Sequence, residues 1–148
     1  MAEAVDALVI GAGPAGLMAA EELARAGRSV VIVEGKPSAG RKFLMAGKSG
    51  LNLTKDEPFE GFAEAYGKAA PWLLPMLREM GPVEVMEWSE KLGQPVFTGS
   101  SGRVFPVAMK ASPLLRAWLR RVPAELRLGW RWTGWEGAGW VFETRDGP

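Results

Sequence analysis

The stretch from Val5 to Glu34 leaves this chain few folds to choose from. Val5-Asp6-Ala7-Leu8-Val9-Ile10 reads as a buried strand. It runs into Gly11-Ala12-Gly13-Pro14-Ala15-Gly16, which opens a helix ending near Gly27. A second apolar run, Ser29-Val30-Val31-Ile32-Val33, stops at Glu34. A Gly-x-Gly-x-x-Gly alone is weak, because glycine is common in turns. A strand before it, a helix after it and an acid closing the next strand supply the context of a βαβ dinucleotide site.

Each part of that stretch has a physical task. Gly11 permits the tight turn off the strand, Gly13 lets the backbone approach a pyrophosphate, and Gly16 lets the helix pack closely on the sheet. The N–H groups and the dipole at the helix start favour an anion. Pro14 suits the first turn, where its missing N–H costs little. Glu34 lies 18 residues after Gly16, placed to accept hydrogen bonds from adenosine ribose hydroxyls. An acid there repels a 2′-phosphate, so NADP is the least suited occupant. The bland alternative is a βαβ unit with a glycine-rich turn and no ligand. It has no need of three glycines and the acid together.

The chain has 148 residues, 47% of them hydrophobic and 24% charged, as in a globular domain with a real core. Its net charge of +1 makes no bulk electrostatic case for nucleic acid or membrane. No apolar run is long enough to span a bilayer. The first residues, Met1-Ala2-Glu3-Ala4, lack the basic start of a signal peptide, so a cytoplasmic protein is expected. There is no Cys and no His. The segment therefore offers no disulfide, no redox dithiol, no thiolate or imidazole metal ligand and no covalent flavin attachment through those residues. Redox chemistry would come from a bound organic cofactor.

Beyond Glu34 the pattern weakens. Residues 35–54 read as a long loop containing Arg41-Lys42 and Ala46-Gly47-Lys48-Ser49-Gly50-Leu51-Asn52. Basic residues and glycines there suit phosphates or a flat ligand, and equally an ordinary basic surface loop. Helices are expected over 69–80, with Trp72, Leu73, Met76, Leu77 and Met80 inward, and over 83–92, with Val83 and Met86 inward. A hairpin is expected from 96–98 and 103–105 about Gly99-Ser100-Ser101-Gly102. Ser112-Pro113 begins a helix that Pro123 ends, its apolar stripe Leu114, Leu115, Trp118, Leu119 and Val122 backed by a solvated face with Arg116, Arg120 and Arg121. Three short strands follow, at 126–129, 131–135 and 140–144, and read as a tryptophan-packed β layer. Only two parallel strands are clear, so the remaining strands of a doubly wound sheet are expected after Pro148.

The motifs taken together resemble a known family. The order Gly11-Ala12-Gly13-Pro14-Ala15-Gly16-Leu17-Met18-Ala19-Ala20, then Gly40-Arg41-Lys42, Asn52-Leu53-Thr54 and Gly102-Arg103-Val104-Phe105-Pro106 resembles the BaiN-like, or aminoacetone-oxidase-like, FAD-dependent oxidoreductases. Ala46-Gly47-Lys48 through Asn52, with Trp132-Thr133-Gly134-Trp135, is similar to a side branch of that group. The first motif is common to many flavoproteins; the later ones together are more specific.

The resemblance implies an α/β, Rossmann-type FAD-binding domain of the glutathione-reductase-like kind, incomplete, with a β-rich excursion at about 58–98. It implies non-covalent FAD. Gly11, Gly13 and Gly16 would take the pyrophosphate, lined by Ala12, Pro14 and Ala15. Glu34 would hold the ribose beside Gly35 and Lys36. Arg41 and Lys42 would sit along the phosphate and ribityl side, and Gly47 and Asn52 would approach the flavin end. Trp132 stands where the family has a small residue meeting adenine through its backbone. Family members also carry Arg and Cys where this chain has Gly50 and Leu51, so no side-chain role passes to those positions. They are more than twice as long, with a second domain and a closing return. The implied function is the N-terminal part of an FAD-dependent oxidoreductase, its substrate and catalytic residues open. An NAD-dependent dehydrogenase domain and an RNA-associated flavoprotein remain the alternatives.

Overall fold

The computed structural model describes residues 3–145. The chain divides into two compact units, Met1–Met45 with Trp118–Pro148, and Ala46–Ala117. Among the described residues no helix is long and apolar enough to cross a membrane.

The first unit is built on β1 (Ala7–Ile10), α1 (Pro14–Arg25) and β2 (Val30–Glu34). Strand β2 is apolar and buried along Val30–Val33, as a strand covered on both faces must be. It lies centrally between β1 and β6 (Glu125–Leu128), all parallel. The third parallel strand therefore lies within this chain. That corrects the reading of residues 126–129 as part of a tryptophan layer. Glu125 and Arg127 break up its hydrophobicity, and its partner β2 is far away in sequence, so no local pattern marks it. The Rossmann-like α/β class stands.

Helix α1 starts without a side-chain cap, on Gly13 in extended conformation and Pro14 in the first turn. It ends in a Schellman arrangement. Gly27, at φ +79°, donates to Ala24 O (2.9 Å), and Arg28 N–H reaches Leu23 O (3.1 Å). Its buried side chains are Leu17, Ala20 and Glu21, whereas Ala15 and Ala19 are exposed. Glu21 faces inward because its partners come from α6 (Ala111–Arg121). Trp118 Nε1 donates to Glu21 Oε2 at 2.9 Å, and Arg121 Nε lies 2.8 Å from Oε1. Arg121 thus leaves the solvated face on which it was expected, while Arg116 and Arg120 stay on it. Residues 118–121 of α6 belong to this unit and residues 111–117 to the other.

Asp6 and Ser29 tie the beginnings of β1 and β2 together. Asp6 Oδ2 accepts from Ser29 N–H (2.9 Å) and from its hydroxyl (2.7 Å). These bonds, the hydroxyl's foremost, hold the Asp6 carboxyl below its ordinary value. A depressed folded value means that the stabilisation is complete above the ordinary carboxylate range and is lost as pH falls through the lowered value. Asp6→Asn is expected to lower the thermal midpoint at neutral pH and to converge with the parent in strong acid. An equal gap at both pH values would show that the bond is not what Asp6 contributes.

A two-stranded hairpin follows β6 in the same unit, β7 (Arg131–Glu136) with β8 (Gly139–Glu143). Trp132, Trp135 and Trp140 cluster on it at centroid distances of 3.9–5.7 Å.

The second unit carries β3 (Thr54–Lys55), β4 (Val96–Thr98) and β5 (Arg103–Pro106) in the antiparallel order β3-β5-β4. With them stand α3 (Phe59–Glu64), α4 (Ala70–Glu79) and α5 (Pro82–Lys91). The β4–β5 hairpin is the one its turn residues announce. Residues 58–98 lie inside this unit and carry α3, α4, α5 and β4. The loop read over 35–54 holds a short helix, α2 (Arg41–Ala46), whose six residues are too few to show periodicity. Leu77 is buried in α4, but Trp72 is 73% exposed, and Met76 and Val83 are also exposed. These three were expected inward. Helical spacing finds an apolar stripe without telling how wide a neighbour covers it.

Candidate dinucleotide site

The turn after β1 is fixed from three sides. Gly11, at φ +104°, donates its N–H to Val33 O at 2.7 Å. Ala12 is wholly buried; its N–H goes to Glu34 Oε2 (2.9 Å) and its carbonyl accepts from Gly40 N–H (2.8 Å). The first intrahelical bond is Leu17 N–H to Gly13 O, at 2.9 Å. The N–H groups of Gly13, Ala15 and Gly16 precede it and point from the helix start, where an anion is favoured.

The glycines separate into two kinds. A Cβ on Gly16 would stand 1.9 Å from Gly11 O and 3.2 Å from a Val9 methyl, so Gly16 is required by the packing of α1 on the turn. A Cβ on Gly13 would meet nothing within 4 Å. Gly13 has an extended backbone (φ −86°, ψ −177°) that any residue adopts. As the N-cap of α1 the position favours glycine over alanine only mildly, so packing does not require glycine there. The bare backbone fits a pyrophosphate.

Glu34 is half-buried at the end of β2. Each carboxylate oxygen accepts one backbone N–H, Oε2 from Ala12 and Oε1 from Lys36 at 2.9 Å. The two bonds set its orientation and leave lone pairs for further donors, such as ribose hydroxyls. Past Glu34 the backbone continues to pair with the chain after β6, through Trp130 N–H to Glu34 O (2.9 Å) and Gly129 N–H to Lys36 O (3.1 Å). Beside this pairing lies a cavity of about 240 Å³ lined by residues including Gly35, Pro37, Arg131 and Glu143. Gly35 is on its wall.

Trp132 is not among the residues lining this cavity; its neighbour Arg131 is. The Trp132 indole donates to Gly134 O at 2.7 Å. Arg41 and Lys42 are exposed at the start of α2, and Arg41 is bonded to Ser38 Oγ at 3.0 Å. The first unit thus contains residues 11–16, 34–36 and 41–42. Gly47 and Asn52 belong to the second unit, and both have structural partners there. A Cβ on Gly47 would fall 2.5 Å from Ala111 Cβ, so close helix packing accounts for this glycine. Asn52 donates its amide protons to Thr54 O (2.8 Å) and Val104 O (3.2 Å), and its amide oxygen is left for other contacts. Gly40 is an addition. Its positive φ of 65° and its bond to Ala12 attach the loop after β2 to the glycine turn. The Gly-Arg-Lys run marks the place, but the contact is long-range.

Comparison with known proteins agrees with this geometry. Residues 5–141 match the family model described as the HI0933-like protein Rossmann domain, and the resemblance in the motifs is borne out. Two ribosomal RNA dihydrouridine synthases are 40% identical, that of Haemophilus influenzae over 57 residues and that of Escherichia coli over 52. The matches take in 38% and 35% of this chain, but only 14% and 13% of those proteins. A flavocytochrome c3 fumarate reductase in its open conformation superposes with a TM-score of 0.73 at 22% identity. The match covers 99% of this chain and 31% of that one, and shows the shared fold.

Proposed function

The chain belongs to the HI0933-like family, and from that premise we propose that it is the dinucleotide-binding part of an FAD-dependent oxidoreductase. The observation that carries the reading is Gly13. It is a glycine the fold does not require, beside three N–H groups at a helix start and a carboxylate oriented for a ribose. When bound, FAD supplies a ring that takes up and returns electrons. The chain's share is to hold the other end. Backbone N–H groups of Gly13, Ala15 and Gly16 neutralise the pyrophosphate, Ala12 and Pro14 line it, and Glu34 orients the ribose beside Gly35 and Lys36. Arg41 and Lys42 add positive charge along the phosphates. With no His or Cys in the chain, this part of the protein offers no imidazole or thiol for a covalent link, in keeping with a non-covalent hold. The substrate is a small molecule or electron carrier of unassigned type.

Calorimetric titration of the chain with FAD, ADP and NADH tests this. FAD and ADP are expected to bind, FAD more tightly than NADH. Glu34→Ala is expected to weaken FAD and ADP alike by about tenfold or more, through the lost charged hydrogen bonds. Saturable binding of NADH without FAD would move the reading to a dehydrogenase domain. No binding of any of the three would end it.

The relatives' name favours a second reading, in which the whole protein acts on ribosomal RNA. The basic later half gives it little support here. Arg121, Arg127 and Arg131 are each paired with a carboxylate, which lowers the positive charge left for phosphates. Salt-dependent retention of ribosomal RNA by the chain would favour this reading; retention that is absent at low salt would discard it for this part of the protein.

A further inference from the structure

The second unit contains a cavity that the dinucleotide reading does not use. Its volume is about 420 Å³, within the range of small-molecule sites. Phe62, Tyr66, Met80 and Val85 contribute aromatic and aliphatic wall. The Phe62 and Tyr66 rings meet edge to face, with centroids 5.6 Å apart and planes at 77°. Tyr66 lines the cavity and is 41% exposed, so its aromatic surface is accessible to a ligand.

The remaining wall is polar in a specific pattern. Lys55 and Glu57 line the cavity and form an ion pair, Nζ to Oε2, at 2.8 Å. The pair uses one of the three ammonium protons and one carboxylate oxygen. It therefore presents a donor and an acceptor side by side, the complement of a carbonyl beside an N–H in one ring. Asn52, also on the wall, spends its amide protons on Thr54 O and Val104 O. Its orientation is thereby set, with the amide oxygen remaining as a further acceptor.

We propose that this cavity is a second ligand site, taking a planar ring with a lactam edge that packs on Tyr66 and Phe62 and pairs with Lys55 and Glu57. An apolar wall with few convergent polar groups is how small-ligand sites combine affinity with orientation. The site goes beyond the FAD reading and does not depend on it, since every residue named lies in the second unit.

Tyr66 is the chain's one tyrosine, so fluorotyrosine labelling gives a single fluorine resonance in the cavity wall. Without FAD present, the labelled chain is titrated with the pyridone whose carbonyl adjoins its ring N–H, with its N-methyl derivative, and with benzene. The pyridone is expected to give a saturable shift. The other two are expected to bind at least about tenfold more weakly, because the N-methyl derivative has no N–H for Glu57 and benzene can bond neither Lys55 nor Glu57. Lys55→Met and Glu57→Leu should each bring pyridone binding down to the level of benzene, with the thermal midpoint nearly unchanged for Lys55→Met, whose side chain is 53% exposed, and lowered modestly for Glu57→Leu, whose side chain is 21% exposed. No saturable shift with the pyridone would overturn the proposal. So would equal affinity for the three rings, a comparison that needs no variant to fold.

Discussion

Gly13→Ala is expected to fold as the parent does and to lose FAD, whereas Gly16→Ala is expected to fail in the fold itself. The two glycines are three residues apart in one motif, yet their surroundings are opposite. The added methyl at Gly13 meets open space on an extended backbone. Stability should fall by about 1 kcal/mol at most, because alanine is a poorer N-cap than glycine, offset in part as the unfolded chain loses freedom. The same methyl stands where the pyrophosphate would approach. Losing two charged hydrogen bonds of about 1.5–3 kcal/mol each predicts an affinity loss of about a hundredfold or more. At Gly16 the methyl would lie 1.9 Å from a backbone oxygen, which cannot rotate away as a side chain can. The turn or α1 must shift, at a cost of about 3 kcal/mol or more, a large part of the ~5–15 kcal/mol that holds a domain together. Urea unfolding and calorimetric titration of both variants check this. Unchanged FAD affinity in a folded Gly13→Ala chain would remove the observation on which the cofactor reading rests.

The contrast also marks what can be read from a sequence and what cannot. The motif already gives the two glycines different tasks, ligand approach for Gly13 and helix packing for Gly16, and its spacing places the turn, α1, β2 and Glu34 correctly, because strand and helix periodicities and the Gly27 stop are local signals. The structure adds how strict that packing is, 1.9 Å from a Gly16 Cβ to Gly11 O against open space at Gly13. The same limit hid β6. Glu125 is exposed and Arg127 is paired with carboxylates on a strand of four residues, so nothing in that segment advertises the buried partner it finds in β2. Asn52 and Gly47 were legible as unusual residues but not as structural ones, because Val104 and Ala111 are distant in sequence. Trp72 failed in the other direction: a strong apolar residue at helical spacing, with no neighbour to cover it.

Glu21 is the sharpest case of a residue whose meaning lies elsewhere in the chain, and it leads to the second large effect. Trp118→Ala is expected to destabilise the protein by about 3–5 kcal/mol, leaving a domain of ordinary stability near its threshold. Trp118 is 2% exposed, packs edge-on against Phe43 at 6.3 Å, and donates its indole N–H to Glu21. Truncation removes the ring from the core and one partner from a carboxylate that is itself largely buried. Trp118→Phe separates these contributions, since it keeps much of the ring and loses the N–H; it should cost about 1–3 kcal/mol. Combined with Glu21→Gln, it should cost less than the sum of the two single changes, with a coupling of about 0.5–3 kcal/mol for groups in direct contact. Strict additivity would mean that the 2.9 Å bond contributes nothing and that Trp118 acts through packing alone. FAD affinity per folded molecule should be unchanged in Trp118→Phe. Glu21 lies beyond the first turn of α1, so the N–H groups of Gly13, Ala15 and Gly16 keep their places on the turn that Val33 and Glu34 fix. A loss of affinity in the folded variant would instead make the packing of α1 against residues 118–121 part of what orients the nucleotide site.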